Sequence, residues 1–380
     1  MKDTHIGYNK PFLTGKEFKY IKEAVVSLKL SGNGTFTKKC HLFFEQRYGF
    51  KKCLLTTSCT DALEMAALLI DTKAGDEIII PSFTFVSTAN AFVLRGAKII
   101  FADSKKNSPN IDAEKIESLI TRKTKAIVVV HYAGVACDMD KIMKLAARYN
   151  LFVIEDAAQS IDSFYKGKPL GGIGHFGCFS FHETKNIISG EGGMLAINDK
   201  RFIKRAEIIW EKGTNRAAFG RGEVKKYEWV DIGSSFLPSE IIAAFLFAQL
   251  EQIDMIQKKR IKIWNSYLKA LHPLAEKGLV LLPVIPELAT NNAHIFYFIC
   301  RNGRERNSLI AHLKTKNINA IFHYLSLHKS PFYKNMYKGD KLVNADYFTD
   351  RLVRLPLYSE LSENDIKKIV NEIYRFYEEQ

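Results

Sequence analysis

The sequence predicts an α/β fold: a mixed, mostly parallel sheet covered by helices, followed by a smaller α+β unit. Three observations carry that expectation. Short apolar runs at 78–80, 99–101, 126–130 and 151–154 read as strands, and segments 87–94, 112–119 and 138–148 have helical spacing between them. Unbroken apolar runs are what strands buried on both faces require. Runs at 178–181 and 194–197 add two strands around a glycine-rich turn, Gly190-Glu191-Gly192-Gly193. Beyond Ser239 the character changes. A helical pattern runs from 239 towards 271, then come a strand over 294–299, a helix over 304–315, and a last helix opened by Ser362-Glu363-Asn364-Asp365, close to a capping box. The expected division is a large domain with an N-terminal arm over 1–240 and a small domain over 241–380.

The elements before the first long strand follow from local chemistry. Residues 15–28 carry apolar side chains at helical spacing, and Gly32-Asn33-Gly34 marks a loop. Cys53-Leu54-Leu55 is a short strand, and Thr56-Thr57-Ser58-Cys59-Thr60 opens a helix that runs to Leu69. Hydroxyl side chains at a helix start cap its free N–H groups. The same start offers the positive end of the helix dipole, which suits a phosphate.

A chain of 380 residues, 47% of them hydrophobic, can bury a sizeable core. Its net charge of +14 raises nucleic acid as a partner. The basic residues, however, are scattered in pairs such as Lys38-Lys39 and Lys225-Lys226, and the densest cluster, Lys258-Lys259-Arg260-Ile261-Lys262, lies in a helical pattern. With no zinc-finger, RNP or basic-zipper signature, no nucleic-acid partner is expected, and the positive excess suits a small anionic ligand. Six cysteines without a CxxC pair read as free thiols of a reducing compartment. Met1-Lys2-Asp3-Thr4-His5 lacks the apolar stretch of a signal peptide, and the longest apolar run, 241–248, is too short to cross a bilayer. A cytoplasmic protein without membrane insertion is expected.

The chemistry centres on Phe179-Ser180-Phe181-His182-Glu183-Thr184-Lys185-Asn186. A lysine between a strand-like run and a glycine turn is placed to be partly desolvated, which favours a neutral amine able to condense with a carbonyl. Upstream, Val153-Ile154-Glu155-Asp156-Ala157-Ala158-Gln159 is an apolar strand ending in acid and amide groups. An acid at a strand end with a lysine further along suggests a pyridoxal phosphate (PLP) site: the carboxylate keeps the pyridinium nitrogen protonated and the lysine carries the aldehyde. Taken singly, the two pieces read as a solvated lysine and a helix cap. Other motifs fail on context. Gly172-Ile173-Gly174-His175-Phe176-Gly177 matches GxGxxG but leads into a strand. His182-Glu183 has Asn186 where a second zinc ligand would stand, and His323 and His328 are two ligands without a third, so no metal is expected.

Together, Thr57-Ser58-Cys59-Thr60, Pro81-Ser82-Phe83-Thr84-Phe85, Glu155-Asp156-Ala157-Ala158-Gln159 and Ser180 to Asn186 resemble the sugar aminotransferases of the DegT/DnrJ/EryC1/StrS family, and the likeness runs over essentially the whole chain. The resemblance implies the PLP-dependent transferase fold type I, the aspartate-aminotransferase-like fold. It implies that Lys185 forms the Schiff base and moves the proton, Asp156 pairs with the pyridinium nitrogen, and Gln159 approaches the ring hydroxyl. Phe85 would stack on the ring, with Cys59, Thr60 and Ser180 on the phosphate. Ser235 stands where many members have an asparagine that reaches the neighbouring subunit's phosphate, and a homodimer is the implied minimum. His323, Tyr324 and His328 match a stretch near the sugar, with packing of the small domain over the cleft as their alternative reading. Stretches 81–97, 131–137, Glu211-Lys212-Gly213-Thr214-Asn215-Arg216 and Asp231-Ile232-Gly233-Ser234-Ser235 are most similar to members that aminate dTDP-4-dehydro-6-deoxy-D-glucose at C4. The implied partners are thus a dTDP-sugar and L-glutamate. The implied products are dTDP-4-amino-4,6-dideoxy-D-galactose and 2-oxoglutarate, serving a surface polysaccharide such as enterobacterial common antigen or O-antigen. Amination at C3, the gluco epimer and a non-catalytic binding protein of the same fold stay open. Lys185 argues against the dehydratases of this fold, which carry histidine there.

Overall fold

The computed structural model describes residues 5–379; residues 1–4 of the stretch read for a leader lie outside it. The central sheet has seven strands: β1 (Lys52–Thr56), β2 (Glu77–Pro81), β3 (Lys98–Ala102), β4 (Thr124–Val130), β5 (Phe152–Asp156), β6 (Phe176–Ser180) and β7 (Gly193–Ile197). Their order is β1-β7-β6-β5-β4-β2-β3. The pairs from β3 to β6 are parallel, whereas β7 runs against both β6 and β1. The connections explain this. β6 and β7 are joined by residues 181–192 without a crossover helix, which sends the chain straight back. Lys185 rides on that return loop.

Besides other helical pieces at Ala113–Ile116, Ile203–Trp210 and Arg216–Gly220, the helices that frame the site are α1 (Glu17–Val26), α2 (Thr35–Tyr48), α3 (Cys59–Leu69), α4 (Ser87–Val93), α5 (Met139–Tyr149), α6 (Glu240–Leu250), α7 (Ile253–Glu276), α8 (Gly303–Thr315), α9 (Val343–Arg351) and α10 (Glu363–Glu378). Their starts obey capping chemistry. Ser58 accepts the Asp61 N–H at α3, Asp138 accepts the Lys141 N–H at α5, and Ser362 with Asp365 forms a capping box at α10. Helix α2 has no side chain of its own at its cap. Instead the buried Glu240 carboxylate, from the first turn of α6, accepts the N–H groups of Gly34, Phe36 and Thr37 at 2.9, 2.7 and 3.1 Å. A Cβ on Gly34 would stand 2.5 Å from that carboxyl carbon, so the close approach requires glycine.

A second, antiparallel sheet consists of β8 (Val280–Leu281), β9 (Phe296–Cys300) and β10 (Leu352–Leu355) in that order. The helical pattern expected over 239–271 is two helices, broken at Glu251–Gln252. Helix α6 packs on α1 and α2. Ala243 and Ala244 of α6 share one core with Phe44, Leu55 and Phe181, a core that extends to Ile256. From Ile263 onwards α7 belongs to a different core, with Phe296, Leu309 and Ile373. The change of core thus falls inside α7, downstream of the expected division at 240/241. The N-terminal arm joins this second core. Ile6 is buried in it, donating to Asn317 O at 2.8 Å and accepting from Asn319 N at 2.9 Å. Among the described residues no helix is long and apolar enough to cross a membrane.

Candidate active site

The carboxyl-terminal ends of β2, β4, β5 and β6 share one edge of the sheet, the place where open α/β sheets bind ligands. A cavity of about 580 Å³ lies there. The large sheet and its loops bring Cys59, Thr60, Phe85, Asp156, Gln159, Ser180 and Lys185 to its wall, and the small-domain segments bring His323 and Tyr324.

One end of the cavity is the start of α3. The N–H groups of Cys59 and Thr60 fall in the first turn, where no helical carbonyl reaches them. Strand β7 passes so close beneath that a Cβ on Gly193 would lie 2.3 Å from the Ser58 carbonyl carbon and 2.4 Å from Cys59 N. The Thr60 hydroxyl donates to Ser87 Oγ at 2.8 Å. This donor-lined hollow has the chemistry of a phosphate seat.

Asp156 ends β5, and only 6% of it is exposed. Its Oδ2 accepts the Thr88 hydroxyl at 2.7 Å and its Oδ1 the Ala158 N–H at 3.2 Å, while Thr88 is in turn 2.8 Å from the Thr84 hydroxyl. Burial lifts the Asp156 carboxyl above its ordinary range, opposed by the Thr88 bond, the Ala158 N–H and the Lys185 charge. A carboxylate held this way is stabilised by a cationic N–H partner, which a protonated pyridine nitrogen supplies. Its neighbour Glu155 points to the opposite face of the strand. There its carboxylate accepts the N–H groups of Gly171, Ile173 and Gly174 at 2.8, 2.7 and 2.6 Å and lies 2.9 Å from His131 Nε2. The two adjacent acids therefore divide the work: Glu155 shapes a loop, and Asp156 faces the cavity.

Burial pulls the Lys185 ammonium below its ordinary value, with Cys59 and Asp156 opposing and Arg354 reinforcing. Asn186 fixes the lysine's loop. Its Nδ2 donates to Gln257 Oε1 and to the Asn292 carbonyl, both at 2.8 Å, and its Oδ1 accepts from His294 Nδ1 at 2.9 Å. Since an amide oxygen only accepts, Nδ1 of His294 carries the proton of that bond, and burial holds the imidazole pKa well below the usual value. Gln159 Oε1 accepts the Ala133 N–H at 2.6 Å and its amide nitrogen donates to the Tyr324 hydroxyl at 3.0 Å. Phe85, 55% exposed, has its ring centroid 6.2 Å from that of Tyr324.

Two of the sequence-predicted residues lie elsewhere. His328 is buried behind the cavity, with Nδ1 2.7 Å from the Ser82 hydroxyl, clipping the small-domain loop to the end of β2. Its place is that of the packing alternative. Ser235 lies on the exposed surface, in a separate depression with Lys212 and Arg216.

The sequence reading missed Tyr8, His294 and Arg354, all of which line the cavity, and Thr88 behind Asp156. Arg354 had a local signal as the one charge in Leu352-Val353-Arg354-Leu355. Tyr8 had none.

Residues 12–374 match the DegT/DnrJ/EryC1/StrS aminotransferase family. The chain is 33% identical over 380 residues to GDP-perosamine synthase of Escherichia coli O157:H7, spanning 99% of this chain and 100% of that protein. It is 32% identical over 375 residues to the spore coat polysaccharide biosynthesis protein SpsC of Bacillus subtilis, spanning 96% and 95%. The aminotransferase from Psychrobacter cryohalolentis has the same fold, with a TM-score of 0.92 at 26% identity over 99% of both chains. Aminotransferases of this family work with PLP. The phosphate seat, the buried Asp156 and the desolvated lysine fit that cofactor. The chain belongs to the DegT/DnrJ/EryC1/StrS aminotransferase family and is a PLP-dependent sugar aminotransferase.

Proposed function

We propose that the protein transfers the amino group of L-glutamate to the C4 ketone of dTDP-4-dehydro-6-deoxy-D-glucose, giving dTDP-4-amino-4,6-dideoxy-D-galactose and 2-oxoglutarate for a cell-surface polysaccharide. What carries the reading is the convergence of Lys185, Asp156 and the α3 start on one cavity, in a chain whose segments 81–97 and 131–137 carry the closer likeness to C4 aminotransferases. Bound PLP supplies the electron sink that makes the substrate's C–H bond acidic. In this assignment Cys59, Thr60 and Ser180 hold the phosphate, Asp156 keeps the ring nitrogen protonated, Gln159 serves the ring hydroxyl, and Phe85 covers the ring face. Lys185, as a neutral amine, takes the α-proton of the donor and returns a proton to the sugar carbon. The face on which it does so decides between galacto and gluco products. His323 and Tyr324 flank the sugar, and Ser235 completes the phosphate seat of a partner subunit in a homodimer.

The similarity to GDP-perosamine synthase favours a second reading, in which the sugar is linked to GDP. Half-reactions separate the two. The purified holoenzyme is treated with glutamate, freed of amino acid, and given either the dTDP- or the GDP-linked 4-keto sugar while the cofactor's visible absorbance is followed. We expect bleaching by glutamate and recovery with the dTDP sugar, with the C4 configuration read by NMR. Recovery with the GDP sugar alone moves the nucleotide, and recovery only with a 3-keto sugar moves the carbon. A protein that gains no absorbance from added PLP overturns the role of Lys185.

A further inference from the structure

We propose that Asn110, which is not part of the cavity wall, is a positioning residue for the cofactor: it pins the turn that decides which end of the Gln159 amide faces the ring hydroxyl. The inference rests on the placement of Gln159 at that hydroxyl proposed above. Among the described residues, the Gln159 side chain is bonded to the Ala133 N–H through Oε1 at 2.6 Å and to the Tyr324 hydroxyl through its amide nitrogen at 3.0 Å. A phenol can donate or accept, so Tyr324 tolerates either orientation of the amide. A backbone N–H only donates. Ala133 therefore claims Oε1, and the amide nitrogen, with a second hydrogen to give, is left for a ligand.

The direction of that N–H comes from a constrained turn. Ala133 and Gly134 have positive φ, 58° and 76°, a left-handed pair that alanine enters only when its surroundings hold it there. Gly134 N donates to His131 O and Val135 N to Tyr132 O, both at 3.1 Å. The Asn110 side chain, buried in the short strand Ser108–Ile111, spans this turn. Its Oδ1 accepts the Tyr132 N–H at 2.9 Å, and its Nδ2 donates to the Val135 and Ala136 carbonyls at 2.9 and 3.0 Å. It thus grips the chain on either side of Ala133-Gly134. The Gln159 main chain is fixed separately, its carbonyl accepting from Asn292 Nδ2 at 2.8 Å. Asn110 therefore governs the turn and not the segment that carries Gln159. A donor aimed at the ring oxygen favours its anionic form. Without that donor the bound cofactor keeps its proton more tightly, and the pH midpoint of its visible absorbance rises.

The test titrates that absorbance with pH in the PLP-loaded protein. Gln159→Leu is expected to raise the midpoint by about half a pH unit or more, Asn110→Ala to raise it by part of that shift, and the double variant to match Gln159→Leu alone. An Asn110→Ala protein that unfolds at lower urea yet keeps the wild-type midpoint overturns the proposal, since its role is then structural only. So does a double variant in which the two shifts add, because Asn110 then acts by another route. If Gln159→Leu itself leaves the midpoint in place, Gln159 does not meet the hydroxyl, and the reading beneath the proposal fails with it. If Asn110→Ala does not fold, by circular dichroism, Asn110→Asp carries the same comparison: it keeps an acceptor for the Tyr132 N–H and loses both donations.

Discussion

At the scale of single residues, the groups legible in the sequence were those out of character with their neighbours. Asp156, with Glu155, ends an apolar strand run, and Lys185 lies between such a run and a glycine turn, places where a buried charge is expensive unless it serves a site. Tyr8 and His294 carry no comparable signal, because they reach the cavity only through tertiary contacts made far along the chain. Replacing Lys185 by alanine is expected to lower transamination by at least about a thousandfold without loss of helical circular dichroism. A second prediction concerns the cofactor-free protein. Burial holds the Lys185 ammonium below its unfolded value, so the folded state penalises its charge at neutral pH. The penalty is complete below the folded pKa and vanishes above the unfolded one, near 10.4. Cofactor-free Lys185→Met should therefore melt higher than wild type at pH 7, and the gap should close as pH rises towards 10.4. A gap independent of pH would show that the difference comes from packing alone.

At the scale of elements, apolar runs announced the strands and hydroxyl or acidic caps announced several helices, since both signals are local. The start of α2 was legible only as a Gly-Asn-Gly loop, because its anion comes from α6, more than two hundred residues later in the sequence. Glu240→Ala should cost about 2 kcal/mol or more, measured as a lower urea midpoint, because it leaves buried N–H groups without an acceptor. Glu240→Gln, which keeps one acceptor oxygen, should lose less. The His328 clip makes a different prediction. Burial, against the pull of Asp346, holds its imidazole below the ordinary value, so the folded state binds fewer protons than the unfolded one as pH drops below about 6.5. Stability from the clip is complete above that pH and is lost as pH falls towards the folded value. Limited proteolysis of the loop at 326–342 should accelerate over that range in wild type and be fast at every pH in His328→Ala.

At the scale of the whole molecule, the alternation of strands and helices predicted the layered sheet, but not where one core gives way to the next. That transition lies inside a continuous helix, and neither composition nor a breaker marks it. Association is an expectation that rests on resemblance alone. The surface near Ser235 exposes Trp229 (82%), Val230 (49%) and Ile232 (45%), an apolar face of the kind that a second copy covers. Sedimentation should give a dimer, and Trp229→Asp should shift it towards monomer and lower PLP content together; a monomeric variant with full PLP would sever Ser235 from the cofactor. The pairing of Ile6 with residues 317–319 bears on how the molecule is made. A nascent chain can lay down β1 to β7, with Asp156 and Lys185 in place, while its first residues still wait for a partner the ribosome has not yet produced. The arm that carries Tyr8 docks only when translation has passed residue 319, and the wall behind it closes when Arg354 emerges. The catalytic cavity is in this sense among the last things the ribosome completes, and a truncated product would carry a reactive lysine in an open, unsorted cleft.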